Sequence, residues 1–359
     1  MRIAIDASRA ARPNQTGTEA YSRHLIEALV PRATGHRLTL YYDRPPTAPI
    51  RGAATRVVPS PRLWTHARLS LEMLRDRPDA LFVPSHVVPL IHPPATVVTI
   101  HDLGYLRYRL AYPAGAWIYL AVSTIWSARA AREVVVDSSA TGRDLARHAG
   151  IEPARVHVVH LGVEPRFRPL PAAEIEPALA RLGLEPGYLL FVGTLQPRKN
   201  LRRLLRAYGL ARREAAVPPL VIAGGLGHRA AELTWPDGAR HVGYAPPADL
   251  PALYGGASAF VFPSLFEGFG LPLLEAMACG TPVLAGANSS MPEVVGDAGL
   301  LVDATSVRAI ADGLIRLATD TALRENLRQR GLARAAAFTW ERAARETLAV
   351  LERAAAPSS

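Results

Sequence analysis

Short, continuous apolar runs rich in β-branched residues alternate with segments of helical spacing along almost the whole chain. The runs Ile3–Ile5, Ala80–Val83, Thr96–Ile100, Glu133–Val136 and Val156–Val159 fall in the first half. Tyr188–Val192, Leu220–Ala223, Ala259–Phe262, Pro282–Ala285 and Leu300–Val302 fall in the second. Between them lie helical patterns such as Glu19–Val30, Thr141–Ala149 and Leu201–Ala211. Strands without polar alternation, separated by helices, belong in parallel sheets covered on both faces. The pattern predicts an α/β fold, and its 359 residues suit two doubly wound domains better than one.

The break between the two series is expected near residues 162–187. Gly162 to Pro171 holds three prolines and no periodicity, which suits a linker. The resulting division is a domain over 1–165, a second over 166–337, and a C-terminal helix over 338–359 that returns to the first domain. Thr339 is a candidate N-cap for that helix, and Ser138 or Ser139 for the helix near Thr141. Ligands of open α/β sheets sit beyond the carboxyl ends of the strands, so two such domains are expected to face a cleft.

Charge and cysteine narrow the function classes. The single cysteine, Cys279, reads as a small core residue and excludes an intrachain disulfide and a cysteine-based zinc cluster. The start, Met1 to Asp6, lacks the apolar core of a signal peptide, so a cytoplasmic location is expected. Of the 41 basic residues only one is lysine, Lys199, a ratio that reflects coding bias. Residues 1–169 carry 22 basic and 13 acidic side chains, and residues 170–359 carry 19 and 18. Coding bias acts on both halves, so the basic first half is expected to meet something anionic: a phosphate, an acidic membrane surface or a nucleic acid. No basic run interleaved with aromatics and no zinc-finger or RNA-recognition signature is present, and no nucleic acid partner is expected. Leu110–Ala128 is 19 residues without a charge. It reads as a buried or half-buried domain helix, or as a face that touches lipid without crossing, with Arg107, Arg109, Arg129 and Arg132 at its ends.

The most specific stretch is Phe262 to Pro282. A strand ends, a turn follows with Gly268 and Gly270, and a helix opens near Pro272. A helix N-terminus with glycines that let a ligand approach the backbone is a place for phosphate. Glu267 precedes the turn and Glu275 follows it. Eight helical residues would part them by ~12 Å, but the turn can bring both carboxylates to one cleft. Carboxylates accept hydrogen bonds from sugar hydroxyls, so the joint reading is a nucleotide-sugar site. The alternative is a plain strand–turn–helix with two solvated glutamates. A second stretch, Phe191 to Asn200, places Arg198 and Lys199 at a helix entrance, where cations are unfavourable unless an anion reverses the balance. Gly224-Gly225-Leu226-Gly227 adds a weak nucleotide-site signal, and Ile100-His101-Asp102 a polar pair at a strand end.

Glu267 and Glu275 with seven residues between them, Gly268-Phe269-Gly270-Leu271-Pro272 inside, Val192-Gly193-Thr194-Leu195-Gln196-Pro197-Arg198-Lys199-Asn200, and Ile100-His101-Asp102 together resemble the retaining GT-B glycosyltransferases of family 4 (glycosyltransferase group 1). The Pro-Arg-Lys-Asn form is similar to that of the bacterial mannosyltransferase-like members. The resemblance runs from Gly17-Thr18-Glu19-Ala20-Tyr21 to Phe338-Thr339-Trp340, with the motifs in family order. It implies a GT-B fold of two Rossmann-like domains and transfer of a hexose, with mannose from GDP-mannose the best match, to a glycan, lipid-linked or small-molecule acceptor. It implies that Arg198 and Lys199 bind the donor diphosphate and stabilise the leaving group. Glu275 would hold the ribose. Glu267, with backbone at Gly268, Phe269, Gly270 and Leu271, would hold the hexose. His101 would reach the sugar from the first domain, and Gly17 would bring amides towards phosphate or acceptor. In some relatives a basic residue follows the glycine of the Val-Gly pair; Thr194 stands there in this chain. Nucleotide-base contacts would come from backbone near Val242-Gly243-Tyr244. The resemblance also implies retention of configuration by same-face attack. No metal and no cofactor are expected: the chain has no Asp-any-Asp pair, and the Arg198–Lys199 pair with the helix dipole can take a metal's place. Nucleotide-sugar epimerases or phosphorylases of similar fold, and an arginine-rich nucleic-acid-binding protein, are the competing readings.

Overall fold

The computed structural model describes residues 1–12, 17–60, 63–108, 114–227 and 233–357. The chain divides into two compact units, Met1–Gly162 with Thr339–Ser359, and Val163–Phe338.

The first unit is a seven-stranded sheet, parallel throughout, in the order β3-β2-β1-β4-β5-β6-β7. Its strands are β1 (Arg2–Asp6), β2 (Arg37–Tyr42), β3 (Ala54–Val57), β4 (Ala80–Val83), β5 (Thr96–Ile100), β6 (Glu133–Val136) and β7 (Val156–Val158). The second unit is a six-stranded parallel sheet in the order β10-β9-β8-β11-β12-β13. Its strands are β8 (Tyr188–Val192), β9 (Leu220–Ala223), β10 (Ala239–Gly243), β11 (Ala257–Phe262), β12 (Val283–Gly286) and β13 (Gly299–Val302). Both orders reverse direction once, between β1 and β4 and between β8 and β11. That reversal is the topological switch point of a Rossmann-like sheet, where successive crossovers diverge and leave a crevice at the carboxyl edge.

β4, β5, β6 and β9 are buried along their whole length, which is why their sequences are continuous apolar runs. The helix Leu201–Glu214 shows how the covering layers are specified. Leu201, Leu204, Leu205, Tyr208 and Ala211 repeat every three or four residues and are buried, while Arg202, Arg206, Arg212 and Arg213 face out.

Three strands escaped the sequence reading. β2 begins with Arg37, β3 is exposed at all four residues, and β10 reads Ala-Arg-His-Val-Gly. β3 and β10 are edge strands, which need no continuous apolar run. The stretch 162–187 also differs from a simple linker: Ala172–Arg181 is a helix, packed on the helix Leu250–Gly256.

The C-terminal helix Trp340–Ala355 belongs to the first unit. It packs on the helix Gly17–Leu29 and on β4, β5 and β6, and Thr339 Oγ1 caps it by accepting the Arg342 amide at 3.1 Å. Gly162 is required where the chain leaves this unit. A Cβ there would stand 2.2 Å from the Trp340 nitrogen, so the outgoing and returning backbones touch directly.

The uncharged stretch at 110–128 lies partly outside the described residues. From Ala114 to Ala130 it is a helix. Its inner face buries Thr124, Ser127 and Ala128, whereas Ile118, Tyr119 and Val122 are more than half exposed. Among the described residues no helix is long and apolar enough to cross a membrane.

Candidate active site

The two sequence motifs of the second unit meet at its switch point. Arg198 and Lys199 follow β8, and Glu267 follows β11, the strand beside it. A backbone hydrogen bond from the Leu265 amide to the Arg198 carbonyl, 2.8 Å, ties the two loops together. Asn200 completes the join. Its backbone takes a left-handed turn (φ 64°) that asparagine tolerates, and its amide donates to the carbonyls of Pro263 and Ala304 at 2.9 and 2.6 Å.

Within this frame the Glu267 carboxylate bridges both cations. Arg198 Nη1 donates to Oε2 and Lys199 Nζ to Oε1, each at 2.8 Å. The ammonium also lies 4.6 Å from the centre of the Phe262 ring. Glu267 and Lys199 are both buried. Burial alone would raise the Glu267 carboxyl, but the charges of Lys199 and Arg198 outweigh it and hold it below its ordinary value. The anion expected beside the two cations is supplied by Glu267 itself.

The turn after Glu267 is pinned from beneath. Ser289 Oγ donates to the Glu267 carbonyl at 2.6 Å, and Ser290 Oγ stands 2.7 Å from the Phe269 carbonyl. Gly270, at φ 114°, turns the chain into the helix Leu271–Ala278, with Pro272 in its first turn. Pro272 has no amide proton and the Leu273 amide bonds the Gly270 carbonyl at 2.9 Å, so Phe269, Gly270 and Leu271 form the backbone that leads into this helix N-terminus.

Glu275 sits one turn along, partly buried, and accepts a hydrogen bond from Tyr254 Oη at 2.8 Å. Burial pushes its carboxyl up to about 7 against that hydrogen bond, with Glu164 raising it further and Arg166 lowering it. Among the described residues it makes no ion pair of the kind Glu267 makes, so the two glutamates are chemically different groups.

Gly224 and Gly227 serve packing. A Cβ on Gly224 would lie 2.1 Å from the Gly193 carbonyl oxygen, and one on Gly227 would lie 2.5 Å from that of Leu195. The loops after β8 and β9 run against each other, joined by a bridge between Leu195 and Leu226. A Cβ on Gly193 would make only ordinary contact with Lys199 Cε, at 3.7 Å, so what favours glycine there is its φ of 150°.

In the first unit, His101 leaves the carboxyl end of β5. Its partner is Asp137, not the neighbouring Asp102. His101 Nδ1 lies 2.7 Å from Asp137 Oδ2, while Asp102 Oδ1 accepts the Gly104 amide at 2.7 Å. Sequence reasoning missed Asp137 because its signal is a register rather than a spacing: Ile100 pairs with Val136, so the residues after them emerge side by side. Gly17 opens the helix Gly17–Leu29, and a Cβ there meets no described atom within 4 Å. Ser138 Oγ caps the helix Ser139–Ala149 by accepting the Thr141 amide. Cys279 is buried at the end of the helix Leu271–Ala278.

Two Rossmann-like units with basic and acidic motifs at the carboxyl edge of the second define a GT-B glycosyltransferase. Residues 16–167 match the model of Glycosyltransferase Family 4, and residues 176–334 that of Glycosyl transferases group 1. The chain belongs to this family. It is 35% identical over 296 residues to O-antigen chain mannosyltransferase B of Escherichia coli, covering 79% of this chain and 77% of that protein. Among solved structures, sucrose-phosphate synthase of Thermosynechococcus elongatus superposes with a TM-score of 0.74 at 22% identity, over 98% of each chain. The Anabaena protein HepE, solved in complex with UDP and glucose, gives 0.72 at 18% identity, over 97% of this chain and 99% of that one. At these identities the likeness to both is one of fold.

Proposed function

We propose that the chain is a retaining hexosyltransferase that moves mannose from GDP-mannose to a glycan or lipid-linked acceptor without a metal ion. The observation that carries this reading is the cluster of Arg198, Lys199 and Glu267 at the switch point of the second sheet. The identity to an O-antigen mannosyltransferase supports the choice of sugar.

In this reading the donor diphosphate takes the two cations now bridged by Glu267, and negative charge developing on the leaving phosphate is met by preformed positive charge. Released from its ion pairs, the Glu267 carboxylate accepts hydrogen bonds from the hexose hydroxyls, and backbone amides at Phe269, Gly270 and Leu271 donate to the sugar oxygens. Glu275, kept off the cations, is left to the ribose hydroxyls. His101 contacts the transferred sugar, and Gly17 brings backbone close to phosphate or acceptor. The Arg198–Lys199 pair and the helix N-terminus supply the charge that a divalent cation supplies elsewhere. Peripheral contact with an anionic membrane would come from the exposed face of the helix Ala114–Ala130, set in a unit that holds 23 basic and 15 acidic residues.

A thermal-shift screen across GDP, UDP, dTDP and ADP sugars tests the donor. A ligand that binds the folded state raises the unfolding temperature, and GDP-mannose is expected to raise it most. A screen in which no nucleotide sugar shifts it overturns the reading.

A further inference from the structure

We propose that Asp137 is a positioning residue that holds His101 as a doubly protonated imidazolium, able to donate hydrogen bonds but not to accept a proton. The pairing itself stands on the geometry of the first unit, and its consequence for transfer rests on the role given to His101 above.

The two side chains are set together by the sheet. β5 and β6 run parallel with Ile100 opposite Val136, so His101 and Asp137 leave the carboxyl edge at the same level. Both ring nitrogens of His101 then face acceptors. Nδ1 is 2.7 Å from Asp137 Oδ2, and Nε2 is 3.2 Å from the Pro84 carbonyl oxygen. A neutral imidazole has one N–H, so with Asp137 ionised one of these contacts would set lone pair against lone pair. Opposite an Asp137 carboxylate only the imidazolium satisfies both; the alternative is a neutral ring with the proton on Asp137. Asp137 supplies the counter-charge. It is 3% exposed, and its second oxygen is buried without a hydrogen-bond partner among the described residues.

The surroundings fix where the proton resides. From the helix Gly17–Leu29, the Tyr21 ring packs edge-on at 4.5 Å, with its hydroxyl 3.1 Å from Thr99 Oγ1. From the segment after β4, the His86 ring stands 5.2 Å away with Nδ1 buried and unpartnered among the described residues. Burial, then the charges of His101 and Arg9, push His86 down to about 3, so it stays neutral. Asp102 on the His101 loop acts on both His101 and Asp137, and His160 after β7 on Asp137; burial raises the Asp137 carboxyl, and the His101 charge opposes it. Burial works against a charge on His101, but the Asp137 carboxylate outweighs it and carries the imidazole above its ordinary value. This differs from a His–Asp dyad that makes a base. There the second ring nitrogen stays unprotonated to take a proton. Here it faces a carbonyl and needs a hydrogen. A sugar hydroxyl or phosphate oxygen near this ring would share the Nε2–H with the Pro84 carbonyl, the longer of the two contacts.

Nitrogen-15 NMR of the ring nitrogens in the full chain tests the pairing, with the His101 signals assigned by their loss in His101→Gln. Both nitrogens are expected to remain protonated through the pH range where an ordinary histidine, near 6.5, has lost its charge. In Asp137→Asn the midpoint is expected to fall by at least about one pH unit, a ~10-fold change in proton affinity. A wild-type midpoint at or below the ordinary value overturns the proposal, and so does an Asp137→Asn midpoint that does not move. If Asp137→Asn does not fold, the wild-type titration alone decides.

The transfer rate gives the second readout. Asp137→Asn is expected to approach wild type near pH 6 and to fall at least ~10-fold behind it by pH 8. A merely structural role predicts the same factor at every pH, and that result overturns the positioning role. A chain that transfers nothing from any nucleotide sugar contradicts the proposed function instead, and the NMR titration still decides the pairing.

Discussion

Lys199 and Glu267, 68 positions apart in the chain, meet as a 2.8 Å ion pair in which neither residue is more than 8% exposed. Two sequence motifs thereby become one site, because β8 and β11 are neighbours at the point where the sheet reverses its order. The only lysine among 41 basic residues stands in this pair. An ammonium on a flexible stem can leave a carboxylate for a phosphate with little change in backbone.

Replacing that lysine separates catalysis from folding. Lys199→Ala is expected to lower the transfer rate at least ~10²-fold if the ammonium stabilises the leaving diphosphate. Arg198 still pairs with Glu267 in the variant, so circular dichroism is expected to show a folded protein. A folded variant that transfers at the wild-type rate contradicts the assignment.

Glu275 gives a pH signature. Its carboxyl rises from 4.5 to about 7 in the fold, so the folded state resists ionisation that the unfolded chain accepts. The neutral group's contribution is therefore intact below pH 4.5 and lost as pH rises through about 7. Glu275→Gln is not subject to that loss. Relative to wild type it should gain stability between pH 4 and pH 8, by about 3 kcal/mol at most, while losing affinity for the nucleotide. Urea unfolding at the two pH values checks this. A difference between the proteins that does not change with pH contradicts it.

The glycines sort by what they touch. Gly224→Ala would drive a methyl to 2.1 Å from the Gly193 carbonyl at φ 144°, and should destabilise the second unit by roughly 2–4 kcal/mol. Gly17→Ala meets no described atom within 4 Å. Its thermal midpoint is expected to stay at that of wild type while transfer falls. Equal midpoints for both variants would show that the crossing of the loops after β8 and β9 does not demand glycine.

Membrane contact is tested on the exposed face of the helix Ala114–Ala130. Wild type is expected to bind anionic vesicles at low salt and to leave them as salt rises. Ile118→Ser with Val122→Ser should weaken that binding by about tenfold or more, since two apolar side chains no longer enter the interface. No vesicle binding by wild type, or equal binding by the double variant, removes this face from the account.

The central strands and the donor-side motifs were legible because each is written locally. A buried parallel strand is a continuous apolar run, and a strand–glycine–helix turn fits within a dozen residues. What was not legible depends on pairing. The edge strands β3 and β10 carry no apolar run, and Asp137 becomes the partner of His101 only through the β5–β6 register. The cluster Gly224 to Gly227 was ambiguous for the opposite reason. Close approach of another backbone and close approach of a phosphate both call for glycine, and only the neighbouring loop at Gly193 and Leu195 tells them apart.

The central claim is that Arg198 and Lys199 hold the diphosphate of a nucleotide sugar at the switch point of the second sheet. Calorimetric titration of GDP-mannose into wild type and Lys199→Ala, under one set of salt and temperature conditions, tests it most directly. The account predicts saturable one-to-one binding to wild type and at least ~10-fold weaker binding to the variant, the loss expected for a hydrogen bond to a charged group. Equal affinity in the two proteins would contradict it.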